Sequence, residues 1–152
     1  MPSDLLSNIK DLLSGELSLC KALRTMISRE LEIIVLERDM DRLLDVQEQK
    51  EEIISQLRLM ADSWRDTLSS CGITDTNIDG MGARVMELFP DDEDIPSLLG
   101  EIKDISDSIL KAEDEAKTEL EKYAADLRSQ LTSKAHGRKA AASYAKMGRT
   151  VF

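Results

Sequence analysis

The chain has 152 residues, 33% of them charged and only 3% aromatic, with a formal net charge of −10. Two Phe, two Tyr and one Trp cannot fill a β-sandwich core, so the interior must be built from Leu, Ile, Met and Ala on helices; with only three Pro and seven Gly, long uninterrupted helices are expected. This length predicts one domain, and the acidic balance excludes a general nucleic-acid binder.

The charge is unevenly divided. Residues 1–126 carry 14 Lys and Arg against all 30 Asp and Glu, a net of −16, whereas residues 127–152 carry six basic residues and no acid. The opening MPSDLLSNIKD is acidic by its fourth residue and lacks an apolar run of signal-peptide length, and no stretch approaches a membrane span. A cytoplasmic location is therefore expected, in which Cys20 and Cys71 stay reduced. In a hairpin of the first two helices the two thiols lie about 20 Å apart, too far for a disulfide.

In chain order, residues 3–37 predict a first helix with Ser3 as its N-cap. Leu6, Ile9, Leu13, Leu17, Cys20, Leu23, Ile27, Leu31 and Ile34 form its apolar stripe, widened by Leu5, Leu12, Leu19, Met26 and Ile33. A face this broad suits two neighbours at once. Gly15 interrupts it at a cost of about 1 kcal/mol and marks a candidate bend.

No Gly or Pro marks the first turn, which is placed at residues 37–41 with Asp39 as the new N-cap. The second helix runs to about Ser70, with Gly72 as its left-handed terminator. Its seam reads Met40, Leu43, Gln47, Lys50, Ile54, Leu57, Ala61, Trp64 and Leu68, so two polar side chains interrupt an apolar row. A buried Gln or Lys needs a mate and thereby specifies register or partner; the alternative is that both reach water along their stems. Across the hairpin Lys50 falls near Ile27 to Glu30, which makes Glu30 its expected partner.

The connector holds DTNIDG, Asp75 to Gly80, which matches the opening of a calcium-binding EF-hand loop. Position twelve of that loop, where a bidentate Glu belongs, is Met86, so calcium binding is not expected. A turn followed by a short helix at Gly82 to Phe89 is the better reading. Asp91, Asp92, Glu93 and Asp94 before Pro96 suit the positive end of a third helix. Its stripe runs through Leu98, Ile102, Ile105, Ile109, Ala112, Ala116, Tyr123, Leu127 and Leu131, and the small residues at its centre either admit another helix closely or leave a groove.

From Thr132 the sequence is TSKAHGRKAAASYAKMGRTVF, with His136, Gly137 and Arg138 reading as a helix end. The fold expected is therefore all-α: three long antiparallel helices, a short connecting helix, a body over residues 1–131 and a flexible basic tail over 132–152. In the tail Ala140, Ala141, Tyr144, Met147 and Val151 recur at spacings of three and four. Together with Leu127 and Leu131 they are the candidate client-binding residues, a stripe too weak to fold alone but able to order on a partner.

Nothing in the chain has the spacing of a nucleophile elbow, a phosphate-binding loop or a zinc site, so no enzyme and no cofactor is expected. The residues alone describe a helical interaction protein, for which a coiled-coil scaffold or adaptor is one reading.

The run EQKEEIISQLRLMADSWRD, residues 48–66, resembles the signature of the FlgN family of flagellar export chaperones, with Glu48, Gln49, Lys50 and Arg65 at the matching positions. The long first and third helices and the tail's Tyr144 and Gly148 are similar to that family too, while Glu113 and Asp114 stand where many members carry Asn. The resemblance implies a protein that binds hook-filament junction proteins, covers their disordered amphipathic ends and delivers them to the type III export apparatus; a monomer or weak homodimer is expected. The incomplete calcium loop, the acidic body and the lack of an apolar span lead to the expectation of no metal, no nucleic acid and no membrane insertion.

Overall fold

The computed structural model describes the backbone of residues 2–72 and 78–151 and the side chains of residues 4–72 and 82–134. Among these the fold is all-helical: α1 (Pro2–Glu32), a π turn (Ile33–Glu37), α2 (Met40–Ser70), α3 (Ile78–Leu88) and α4 (Asp94–Val151). The first helix begins at Pro2, so Ser3 lies inside it and is not the cap; Pro is well suited to a first turn, where its missing N–H has no partner to lose.

Contacts between distant residues fix the directions of the helices. Glu30 meets Lys50 and Glu16 meets Trp64, so α1 and α2 run antiparallel. Lys10 meets Asp94, Arg24 meets Ser108 and Arg38 meets Asp126, so α1 and α4 run parallel. Helix α1 therefore lies between two long neighbours, and no Cα of α2 comes within 8 Å of one in α4 among the described residues.

The broad α1 face makes this possible. Leu23 and Ile27 pack on Ala112 and Ala116, where the absence of long side chains brings α4 onto α1. Ile9 and Leu13 meet Trp64 and Leu68 of α2, Val85 of α3 and Ile95 of α4 at one end. Ile33, Ile34, Leu43, Val46 and Tyr123 close the other. Each such side chain, fully buried, is worth about 1.5–3 kcal/mol before the entropy of ordering is counted.

The turn between α1 and α2 falls where expected, in a form the sequence did not suggest. The Arg38 N–H reaches back to the Ile33 carbonyl at 2.6 Å, closing the wider π turn, and Arg38 itself is left-handed with φ 49°. Asp39 then caps α2 by accepting from the Arg42 N–H. Tyr123 of α4 holds the corner: its hydroxyl donates to the Arg38 carbonyl at 3.1 Å, and the Arg38 guanidinium lies over its ring while pairing with Asp126.

The remaining ends follow local chemistry. Gly72 is left-handed beyond α2, with φ 82°. Asp92 accepts from the N–H groups of Asp94 and Ile95 at the start of α4 and is bridged by Lys10 at 2.7 Å, which holds the Asp92 carboxyl below its ordinary pKa. Helix α3 begins at Ile78, earlier than Gly82 as expected, and the calcium-like residues Asp75 and Asn77 lie outside the described part. Helix α4 does not stop at His136 and Gly137 but continues to Val151.

Gly15 produces no break in α1. A Cβ added there would lie 2.8 Å from the Met60 terminal methyl, so the glycine makes room for a methionine of α2. Met60 ends in freely rotating bonds and borders an open hollow, so it can yield. Gly15→Ala is expected to stabilise the fold by up to about 1 kcal/mol through helix propensity. Urea unfolding followed by circular dichroism measures this, and a loss of stability would show that Met60 has nowhere to go.

Candidate functional site

The separation of α2 from α4 leaves a cleft floored by α1. Its middle contains two adjoining hollows of about 410 and 530 Å³, both bordered by Glu30, Gln47, Lys50 and Glu113. Leu44 on the α2 side and Leu110 on the α4 side stand at the rims, 55% and 70% exposed.

Lys50 crosses this cleft. Its ammonium lies 3.1 Å from both carboxylate oxygens of Glu30 and 2.7 Å from Glu113 Oε1, joining α2, α1 and α4 at one atom. The expected Glu30 partner is thus found, and Glu113 is a third member that the hairpin register did not reveal. Burial opposes the Lys50 charge, but hydrogen bonds to Glu113 and Glu30 outweigh it, and the pKa stays above that of an ordinary lysine. Gln47 is half-buried beside it, while the core place expected nearby is taken by Val46.

A further hollow of about 540 Å³ lies toward α3, bordered by Leu13, Glu16, Met60, Trp64, Val85 and Ile102 among others. Glu16 accepts from the Trp64 indole N–H at 3.1 Å. Desolvation raises the Glu16 pKa and the Trp64 hydrogen bond only partly offsets it. The same environment, burial first and the Glu16 charge second, pushes the Cys20 thiol up and keeps it protonated. Cys20 and Cys71 are both free. The Glu16–Trp64 pair lies in the same hairpin register as Glu30 and Lys50, and it escaped sequence reading because Trp64 counts there as an apolar seam residue and not as a hydrogen-bond donor.

The candidate client-binding residues divide into three groups. Leu127 is half-buried against the Ile33, Ile34 and Leu43 cluster. Leu131 is 66% exposed, and every side chain from Arg128 to Lys134 is exposed. Ala140, Ala141, Tyr144, Met147 and Val151 share the α4 backbone, but their side chains lie outside the described part. Among the described residues no group of His, Cys, Asp or Glu could hold a metal, and no helix is long and apolar enough to cross a membrane.

Two outcomes follow from these geometries. Glu30 is nearly inaccessible, at 5% side-chain exposure, whereas Glu113 at 42% reaches water. Lys50→Ala should therefore cost about 3–5 kcal/mol by stranding a buried carboxylate, and Glu113→Ala about 1 kcal/mol or less. The double variant Lys50→Met, Glu30→Leu should recover most of the loss, and equal costs for the two single variants would contradict a Glu30-centred site. For Glu16 the folded-state pKa is raised, so its contribution to stability is present below its ordinary pKa of 4.5 and lost as pH rises through the folded value. Glu16→Gln should raise the melting temperature at pH 7 and leave it unchanged near pH 4.

The model of the family described as FlgN protein matches residues 1–119, more than half of the chain. The match spans α1, α2, α3, the Lys50 and Glu113 pair and the first part of α4, and leaves the rest of α4, with the exposed stretch Arg128 to Lys134, outside it. Neither curated proteins nor solved structures give a match. The chain belongs to the FlgN family of flagellar export chaperones.

Proposed function

We propose that this protein is a substrate-specific chaperone that holds hook-filament junction proteins in the cytoplasm and passes them to the flagellar type III export apparatus. Family membership supports export chaperoning, and the exposed end of α4 supports the mode of binding. The observation that carries the reading is that α4 continues past Tyr123, its last buried residue among the described ones, and that every described side chain beyond Leu127, Arg128 to Lys134 with Leu131 among them, is exposed. Leu131 therefore offers apolar surface that its own chain leaves uncovered.

Residues 132–152 act in this reading as an arm separate from the body. Leu127 and Leu131 begin the stripe, and Ala140, Ala141, Tyr144, Met147 and Val151 extend it at spacings of three and four. A client end that is amphipathic and disordered before assembly meets the stripe with its own apolar face, which blocks premature self-association. Tyr144 is the natural anchor, because an aromatic ring gives large contact area with little entropy to lose. Gln47 and Lys50 act in the body, where they specify the register of α2 on its neighbours. Binding of this kind is an equilibrium between surfaces and needs no cofactor.

Removing everything after Leu131 should leave melting nearly unchanged, since every buried residue of the described part lies before that point. Affinity for a terminal peptide of a hook-filament junction protein should fall more than tenfold, or at least about 1.4 kcal/mol. Titration calorimetry of the two proteins against that peptide decides the matter, and equal affinities would place the client on the body.

A further inference from the structure

We infer that the basic end of α4 also docks on a second copy of this chain, lying in the acidic cleft between α2 and α4, and that two copies exchange these arms reciprocally. The inference concerns contact between copies and stands apart from the client reading. Its basis is the coincidence of charge, length and uncovered apolar surface.

Residues 128–151 carry six basic side chains and no acid, whereas the 24 residues before them, 104–127, carry eight acids and three bases. Both stretches belong to the one helix α4. Two copies placed antiparallel about a twofold axis near Leu127 would therefore lay +6 against −5 twice over. A contact of this symmetry is closed, because each arm fills the other's cleft and neither arm is left to recruit a third copy.

The cleft has the chemistry to receive such an arm. Glu48 and Glu51 on α2 and Asp114 on α4 border it. Lys50 is already held by Glu30 and Glu113, which leaves Lys117 as the remaining cation among the bordering residues. Leu44 and Leu110, exposed at the two rims, supply apolar surface for a stripe of small and apolar residues. Beyond Asp126, where the corner of the hairpin is tied, 25 residues of helix extend about 37 Å. That is ample to run along the α4 wall from Leu120 down to Ile109 in a facing copy.

The test uses two full-length variants of opposite design. One reverses the arm (Arg138→Glu, Lys139→Glu, Lys146→Glu) and the other reverses the cleft (Glu48→Lys, Glu51→Lys, Asp114→Lys). Sedimentation equilibrium of the unaltered protein at about 50 mM salt should show a monomer–dimer equilibrium that weakens at least tenfold at about 500 mM. Each variant alone should dimerise at least tenfold more weakly while keeping native helicity by circular dichroism. An equimolar mixture of the two should form a heterodimer that recovers much of the original affinity, because the three new acids of one arm then face the three new bases of the other cleft while the unaltered arm faces the unaltered cleft. An unaltered protein that stays monomeric at about 100 µM in low salt, variants that dimerise as well as the original, or a mixture that fails to associate would each overturn the inference.

Discussion

Lys50 meets all three long helices at a single ammonium group, and the arrangement of the body depends on that meeting. Taking a lysine and a glutamate out of water costs several kcal/mol, which their mutual attraction recovers only in good geometry. Here both Glu30 oxygens lie 3.1 Å away and Glu113 lies at 2.7 Å, so a slide of α2 by one turn would leave Glu30 buried without a cation, and a slide of α4 would take Glu113 away from Lys50. Apolar side chains between the same helices tolerate small slides, because one leucine replaces another at similar cost. The triad therefore contributes more to the choice of register than to stability. It also holds α4 across the cleft from α2 without letting the two helices close on each other.

The corner at Arg38 makes the same choice at the end of the hairpin. A chain without Gly or Pro must still reverse direction, and the left-handed conformation of Arg38 costs about 1–2 kcal/mol for a residue with a Cβ. Tyr123 and Asp126 offset this by gripping the Arg38 carbonyl and guanidinium from α4. The turn is consequently completed by a helix more than eighty residues later in the chain, and the parallel placement of α4 on α1 is part of what makes the turn stable.

Features decided by local chemistry were legible in the residues. The Asp39 cap, the left-handed Gly72, the end of α2 near Ser70 and the acidic start of α4 each depend on a few neighbouring side chains. Lys50 with Glu30 was also legible, since a hairpin's register follows from its turn. Features decided across the fold were not. The π turn is held from α4 by Tyr123, and Val46 rather than Gln47 joins the buried cluster around Tyr123. The Gly137 signal read as a helix end proved insufficient, since a glycine costs only about 1 kcal/mol in a helix and α4 continues through it.

The family match ends at residue 119, close to where α4 makes its last packing contacts with the corner. Before that point nearly every apolar side chain on the stripe of α4 is engaged by α1, and changing one disturbs the body. Beyond Leu127 the described side chains are exposed, so substitutions there meet no packing constraint from this chain. A helix that is anchored along its first half and exposed from Arg128 to Lys134 can change that surface without changing the fold that presents it. The division of charge follows the same line, since the acidic residues all precede Leu127 and so do all the buried residues of the described part.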